Sequence, residues 1–155
     1  MPRLFSLPSR LVLILALFKS FELVLADTNV TVDDNDSSIQ YSDGWSVSTG
    51  FNSLDYGGFH HLSDSNTSTA NFTFTGTAVY IMAPLWPYAV GIQAGVDSTS
   101  PVGVPMQDFT HTTDGGSEDI TSAVVWGVSN LSNTSHTLYI SFWNIEEFMA
   151  LDAIM

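Results

Sequence analysis

The chain reads as an all-β protein, and three features of its sequence predict that class. Past residue 27, apolar residues recur with a period of two rather than 3.6, the pattern of strands with one face on a core and one in water. These short runs are separated by clusters of Asp, Gly, Pro, Asn and Ser, the residues that turns require. No convincing amphipathic helix interrupts them. Many short strands joined by turn chemistry mean a β-sandwich or a barrel.

The first segment stands apart from this pattern. Arg3 and Arg10 precede the apolar run LVLILALF at residues 11–18, and Val24, Leu25 and Ala26 supply a cleavage site before Asp27. A basic start followed by a short apolar run is a secretory signal peptide. Lys19 and Glu22 interrupt the run, and eight clean residues fall short of the roughly 20 that span a bilayer. Residues 1–26 are therefore expected to be a cleaved signal. Residues 27–155 are expected to be one extracellular domain, secreted or at the cell surface, without membrane insertion by the mature chain.

Within that domain NVTV at 29–32, NFTFT at 71–75, GIQAGV at 91–96 and TLYISF at 137–142 alternate polar and apolar residues. AVYIMA at 78–83 and AVVWGV at 123–128 are apolar on both faces and are read as central strands. FMALDAI at 148–154 closes the chain. Turn clusters at 33–38, 63–68, 98–105, 112–119 and 129–135 lie between the strands, with no linker and no internal repeat.

All three Lys and Arg residues lie within the first nineteen positions, so none remains after residue 26. Of the 16 Asp and Glu only Glu22 leaves with the signal, so fifteen carboxylates face four histidines and the new amino terminus. Such a chain cannot neutralise phosphates, so nucleic acid and anionic lipid surfaces are poor partners and no nucleic acid is expected. Ionisation of the folded state is then mostly repulsive, which raises carboxyl pKa values, and stability must rest on apolar burial and backbone hydrogen bonds. A hydrophobic fraction of 45 % argues against a disordered acidic tail. With no Cys, disulfides and thiolate metal sites are excluded.

Six Asn-x-Ser/Thr triplets, at Asn29, Asn35, Asn66, Asn71, Asn130 and Asn133, are candidates for N-glycosylation. Asn29 and Asn71 alternate with apolar neighbours and so point away from the core, while the others fall in turn clusters. Asn130 and Asn133 are close enough for one glycan to block the other.

Several segments together carry a resemblance. They are TVDDND at 31–36, IQYS at 39–42, Gly44-Trp45, GGFHH at 57–61, FTFTGTAVY at 72–80, Val96-Asp97, GVSNL at 127–131, HTL at 136–138 and LDAI at 151–154. The chain resembles, over residues 29–154, a large group of mostly uncharacterised secreted or membrane-anchored proteins of mushroom-forming fungi. Their ectodomains look like galactose-binding-like jelly rolls, the fold of many carbohydrate-binding modules. The resemblance therefore implies a β-sandwich of jelly-roll type and carbohydrate as the ligand class. Two departures stand out: Val96-Asp97-Ser98 replaces the family's Val-Asp-Gly, and the sequence stops at Met155 where many relatives add a stalk and a membrane helix.

Aromatic side chains are the candidate ligand contacts, because sugar rings stack on aromatic faces. Trp86 and Tyr88 lie in PLWPY at 84–88, where prolines stiffen the segment between two strands, and Trp143 follows the strand ending at Phe142. Core positions are the alternative for these three and the reading adopted for Trp45 and Trp126. Asp33, Asp34 and Asp36 gather oxygens of the type that Ca²⁺ prefers, without EF-hand spacing. Carbohydrate-binding jelly rolls often hold a structural Ca²⁺ between first and last strands, so the resemblance implies Asp34 with Asp152 as its ligands. The alternative is a solvated Asx turn. His60 and His61 are adjacent and so point to opposite faces, one packed and one in water. A zinc site would need three of the four histidines to converge, and His111 and His136 sit far along the chain from His60 and His61.

Catalytic patterns are absent from the sequence. There is no Gly-x-Ser-x-Gly elbow, and the carboxylate pairs Glu118-Asp119 and Glu146-Glu147 lie in loop-like stretches without a cationic partner. The sequence is thus read as a secreted, N-glycosylated, non-catalytic module that recognises neutral carbohydrate at a cell surface or wall. A structural surface protein without a small ligand and a secreted glycoside hydrolase are the alternatives.

Overall fold

A computed structural model describes residues 28–155, so the signal peptide read at 1–26 lies outside the described residues. Ten strands follow in order: β1 Val32–Asp33, β2 Ile39–Tyr41, β3 Ser46–Val47, β4 His61–Ser63, β5 Thr69–Leu85, β6 Gly91–Val96, β7 Val102–Pro105, β8 Ile120–Phe142, β9 Met149–Leu151 and β10 Ala153–Ile154. No helix occurs among the described residues. The larger sheet runs β1-β10-β5-β8-β6-β7 with β2 also on β5, and the smaller runs β3-β4-β9. Every strand pair is antiparallel. This is the expected β-sandwich of jelly-roll type.

Period-two patterning places the core. Val79 and Ile81 of β5, Ile92, Ala94 and Val96 of β6, Val104 of β7, Leu138 and Ile140 of β8, and Met149 and Leu151 of β9 belong to one buried cluster. Each fully buried Ile, Leu or Met contributes about 1.5–3 kcal/mol. This burial carries a fold that has no Lys or Arg ion pairs past residue 27.

Two pairs of expected strands are each a single strand. Residues 71–75 and 78–83 both lie in β5, and 123–128 and 137–142 both lie in β8. The turn cluster at 129–135 is a bulge in β8. Ladder pairs Gly76↔Thr134 and Ala78↔Ser129 leave residues 130–133 looping out, with Asn130 at φ +62°. Asn tolerates that left-handed conformation better than other residues with side chains. Strand β5 is central as expected, between β10 and β8. Residues 123–128 are not buried on both faces, because β6 reaches β8 only at Leu138–Phe142 and leaves β5 as the other segment's partner. Val124 is accordingly 48 % exposed.

The last strand changes sheets within one residue. Leu151 pairs with His61 in the smaller sheet, and Ala153 pairs with Met82 and Asp33 in the larger. Asp152 occupies the corner between them. Strands that cross between packed sheets make such corners, and here the corner residue carries a carboxyl group.

Candidate functional site

The structure separates the three aromatic candidates. Trp86 is 3 % exposed, so the expectation of a displayed ring is corrected. Its backbone N–H donates to Met106 O at 2.9 Å, and its own carbonyl accepts the Asp108 N–H at 2.7 Å. These bonds bind the PLWPY segment into the sandwich, with the Trp86 ring edge-on to His60 at 5.2 Å. Tyr88 is half-buried and sits edge-on to Phe148 at 5.9 Å. Burial pushes its phenol above the ordinary range, with the Glu118 and Glu147 charges adding to the shift.

Trp143 lies elsewhere. In β6, Ile92, Ala94 and Val96 belong to the core, so Gly91, Gln93 and Gly95 alternate onto the outer face. In β8, Leu138 and Ile140 are buried, and Tyr139 and Ser141 take the outer face. Trp143 continues that alternation one step past β8. A Cβ at Gly91 would come within 3.2 Å of the Trp143 ring, and one at Gly103 would collide with it. The ring therefore lies over two residues that have no side chain. Gln93 is paired in register with both Ser141 and Gly103, and Gly95 with Tyr139. Tyr139 is 44 % exposed and Trp143 half-buried. Four residue steps of extended chain separate them, roughly 13 Å. Glu146 also meets Gly91, and burial holds its carboxyl above the usual range.

Asp34 and Asp152 do meet at the corner. The Asp34 N–H donates to Asp152 O at 3.0 Å, and both side chains are buried. Asp34 Oδ2 lies 2.6 Å from His61 Nδ1, whose ring stacks on Tyr41 at 4.3 Å. Both Asp152 oxygens accept the Tyr56 N–H, at 3.0 and 3.1 Å, and Oδ2 also accepts the Ser122 hydroxyl. Burial pushes the Asp152 carboxyl up to about 7, opposed by the Ser122 and Tyr56 bonds and reinforced by the Asp55 and Asp34 charges. Asp33 is pushed up to about 6 by burial and by the adjoining Asp34 carboxyl. Gly57, at φ +74°, lets its loop close against the Asp33 carboxylate where any Cβ would collide.

A Ca²⁺ ion takes six to eight oxygens. At this corner three of the four Asp34 and Asp152 side-chain oxygens are already used by protein donors, and only Asp34 Oδ1 is buried without a partner. Asp34 and Asp152 alone offer four carboxylate oxygens, fewer than a full calcium shell requires. Asp36 follows the Asx-turn alternative: its Oδ1 accepts the Ser38 N–H at 2.8 Å and hydroxyl at 2.6 Å, which hold its carboxyl below the usual range.

Each histidine meets a carboxylate. His60 Nδ1 lies 3.1 Å from Asp55 and 3.0 Å from Glu118, His61 meets Asp34, His111 meets Asp119 at 2.8 Å, and His136 meets Asp97 at 2.7 Å. The histidines do not converge on one another. Nor does His61 face water as one of the adjacent pair was expected to, since its side chain is 15 % exposed. Asp97 holds the Val-Asp-Ser turn at φ +55°, its carboxylate accepting the Thr137 N–H at 2.9 Å.

Among the sequons, Asn29, Asn35, Asn66, Asn130 and Asn133 are exposed, and Asn130 and Asn133 sit on the β8 bulge. Asn71 is half-buried and paired with Tyr139. Glycopeptide mapping of the protein expressed through a secretory pathway is therefore expected to find Asn71 the least occupied of the six. Full occupancy at Asn71 with bare exposed sites would contradict that order.

Solved carbohydrate-active proteins share this fold at low sequence identity. A family two carbohydrate esterase from Cellvibrio japonicus aligns with a TM-score of 0.51 and 11 % identity, over 81 % of this chain and 32 % of its own. An exo-β-1,3-galactanase from Phanerochaete chrysosporium, solved with galactose, gives 0.54 and 16 % over 83 % and 29 %. A GH26-CBM35 β-(1,4)-mannanase from Podospora anserina gives 0.54 and 16 % over 81 % and 26 %. This chain thus spans a third or less of those proteins, and the likeness is one of fold. No protein-family model matches the chain, and no curated protein matches it.

Proposed function

We propose that this chain is a secreted, N-glycosylated, non-catalytic module whose outer sheet face binds neutral carbohydrate. The observation that carries the reading is the row Tyr139, Ser141 and Trp143 on one face of β8 and its end, with Gln93 in register beside Ser141. Two aromatic rings flank hydroxyl and amide groups that can donate and accept bonds, the combination a chain of uncharged sugars requires. The Trp143 ring is braced by Gly91 and Gly103, so little ordering is needed on binding. A surface without Lys or Arg favours an uncharged glycan over an acidic one. The carbohydrate-active proteins that share the fold fit this reading.

Affinity electrophoresis through neutral glucan, galactan and mannan gels tests it. Retention by one of them is expected, with Trp143→Ala or Tyr139→Ala weakening it at least about tenfold, the equivalent of 1.4 kcal/mol. Both variants should melt within a few degrees of the parent, since neither ring is in the buried core. No retention on any neutral polysaccharide would leave a structural surface protein as the better reading. Turnover of a retained glycan, lost on replacing a carboxylate, would make it a hydrolase.

A further inference from the structure

We propose that Asp55, His60 and Glu118 form a zinc site, distinct from the outer carbohydrate face and from the Asp34–Asp152 corner. Their ligand atoms lie within 4.8 Å of one another. The Asp55 side chain is fully buried, and those of His60 and Glu118 are 8 % and 7 % exposed. Both carboxylates aim at one atom, His60 Nδ1, which can carry at most one proton. The hydrogen bond formed there is with Asp55 Oδ2 at 3.1 Å, while Glu118 Oε1 lies 3.0 Å away in ion-pair contact. Asp55 Oδ1 is buried with no partner at all. Glu118 Oε2 accepts the Asn52 amide.

Two buried carboxylates around one imidazole leave negative charge uncompensated, and the chain past residue 27 has no Lys or Arg to supply the balance. A divalent ion bound to neutral His60 cancels both charges. Tetrahedral Zn²⁺ with ligand bonds of about 2.0–2.2 Å spaces its ligand atoms roughly 3.3 Å apart. The observed 3.0 and 3.1 Å are close to that spacing. An imidazole among the donors selects zinc over calcium, which takes oxygen. A cleft of about 310 Å³, lined by Phe51, Asn52, Asp55 and Glu118 among others, lies beside two of the three ligand residues. It provides an entry path and room for a water as fourth ligand. The ion would tie the loop before β4 to the segment before β8, adding to the Ser122 N–H bond to Leu54 O at 2.7 Å.

The test uses the full secreted chain, dialysed against EDTA and then titrated with ZnCl₂ by calorimetry and thermal melting. One zinc per chain is expected, with the melting temperature rising by at least roughly 5 °C at a hundredfold excess over Kd. Co²⁺ in place of Zn²⁺ should give visible bands of four-coordinate intensity in the parent protein, a readout that needs no variant to fold. Asp55→Asn and Glu118→Gln should each weaken zinc binding at least about 100-fold, the upper range for residues that merely orient a ligand. His111→Ala, at an exposed pair, should bind as the parent does. The proposal is overturned if Zn²⁺ gives neither a melting shift nor cobalt bands, or if Ca²⁺ stabilises equally. It is also overturned if His111→Ala loses the ion while Glu118→Gln keeps it. Loss of polysaccharide retention alone would bear on the outer face and leave this site standing.

Discussion

Replacing Asp152 by Ala is expected to lower the melting temperature by roughly 10 °C, corresponding to about 3 kcal/mol for a domain of this size. The side chain sits where the chain passes from β9 to β10 and so from one sheet to the other. Its oxygens accept the Tyr56 N–H and the Ser122 hydroxyl, joining the loop before β4 to β8 at the corner. Alanine leaves both donors without a partner in a buried place and opens a small void. Each effect costs about 1–3 kcal/mol. Asp152→Asn keeps the shape and one acceptor oxygen for Tyr56. It should melt close to the parent near pH 4 and above it at pH 8, because it has no buried charge to form. Melting scans of the three proteins at both pH values check this. If the alanine variant melts within two degrees of the parent, the corner carboxyl contributes nothing that matters.

The seam around Asp152 also shows what was legible in the sequence. Alternation located the core strands because a β-strand's period of two is written directly in residue polarity, as in GIQAGV, which coincides with β6. Strands of two to four residues, such as β3, β4 and β7, are too short to show a period. Gly103 and Pro105 make β7 read as a turn. Sequence order could not say that 71–75 and 78–83 form one strand, since the Gly76 irregularity between them is resolved only by pairing with β8. Trp86 shows the other limit: a Trp between prolines reads as a displayed ring until tertiary contacts bury it.

The pairing of all four histidines with carboxylates was equally hidden, because their partners lie 5 to 58 residues away. Absence of Lys and Arg pointed to repulsion as the source of raised carboxyl pKa values. In the structure Asp33, Glu146 and Asp152 are raised, with burial as the largest cause. Asp36, Asp97 and Asp108 are lowered instead, by bonds from Ser38, His136 and Thr110.

Those shifts give the molecule an expected stability maximum in mild acid, near pH 4–5. The ordinary unfolded Asp value is about 3.9. Asp152 is raised to about 7 and Asp33 to about 6, so between 3.9 and those values the folded state binds more protons than the unfolded one. Stability then falls as pH rises through that window and levels off above it. Buried Asp152 dominates this loss, about 2–4 kcal/mol at 1.36 kcal/mol per unit with allowance for relaxation. The Asp97 carboxylate raises the His136 imidazole above its usual value of about 6.5. Its contribution is complete below 6.5 and is lost as pH climbs through the folded value, in the same direction. Asp36, Asp97 and Asp108 act oppositely, but their contribution is lost only as pH falls below about 4. Added NaCl should raise the melting temperature at pH 7.5 by screening the excess of carboxylates. Melts from pH 3 to 8 in EDTA, with and without NaCl, measure all of this, and Asp152→Asn should flatten the fall between pH 5 and 7. A melting temperature that climbs steadily from pH 4 to 8 would mean that these carboxyls ionise in the folded state as freely as in the unfolded chain.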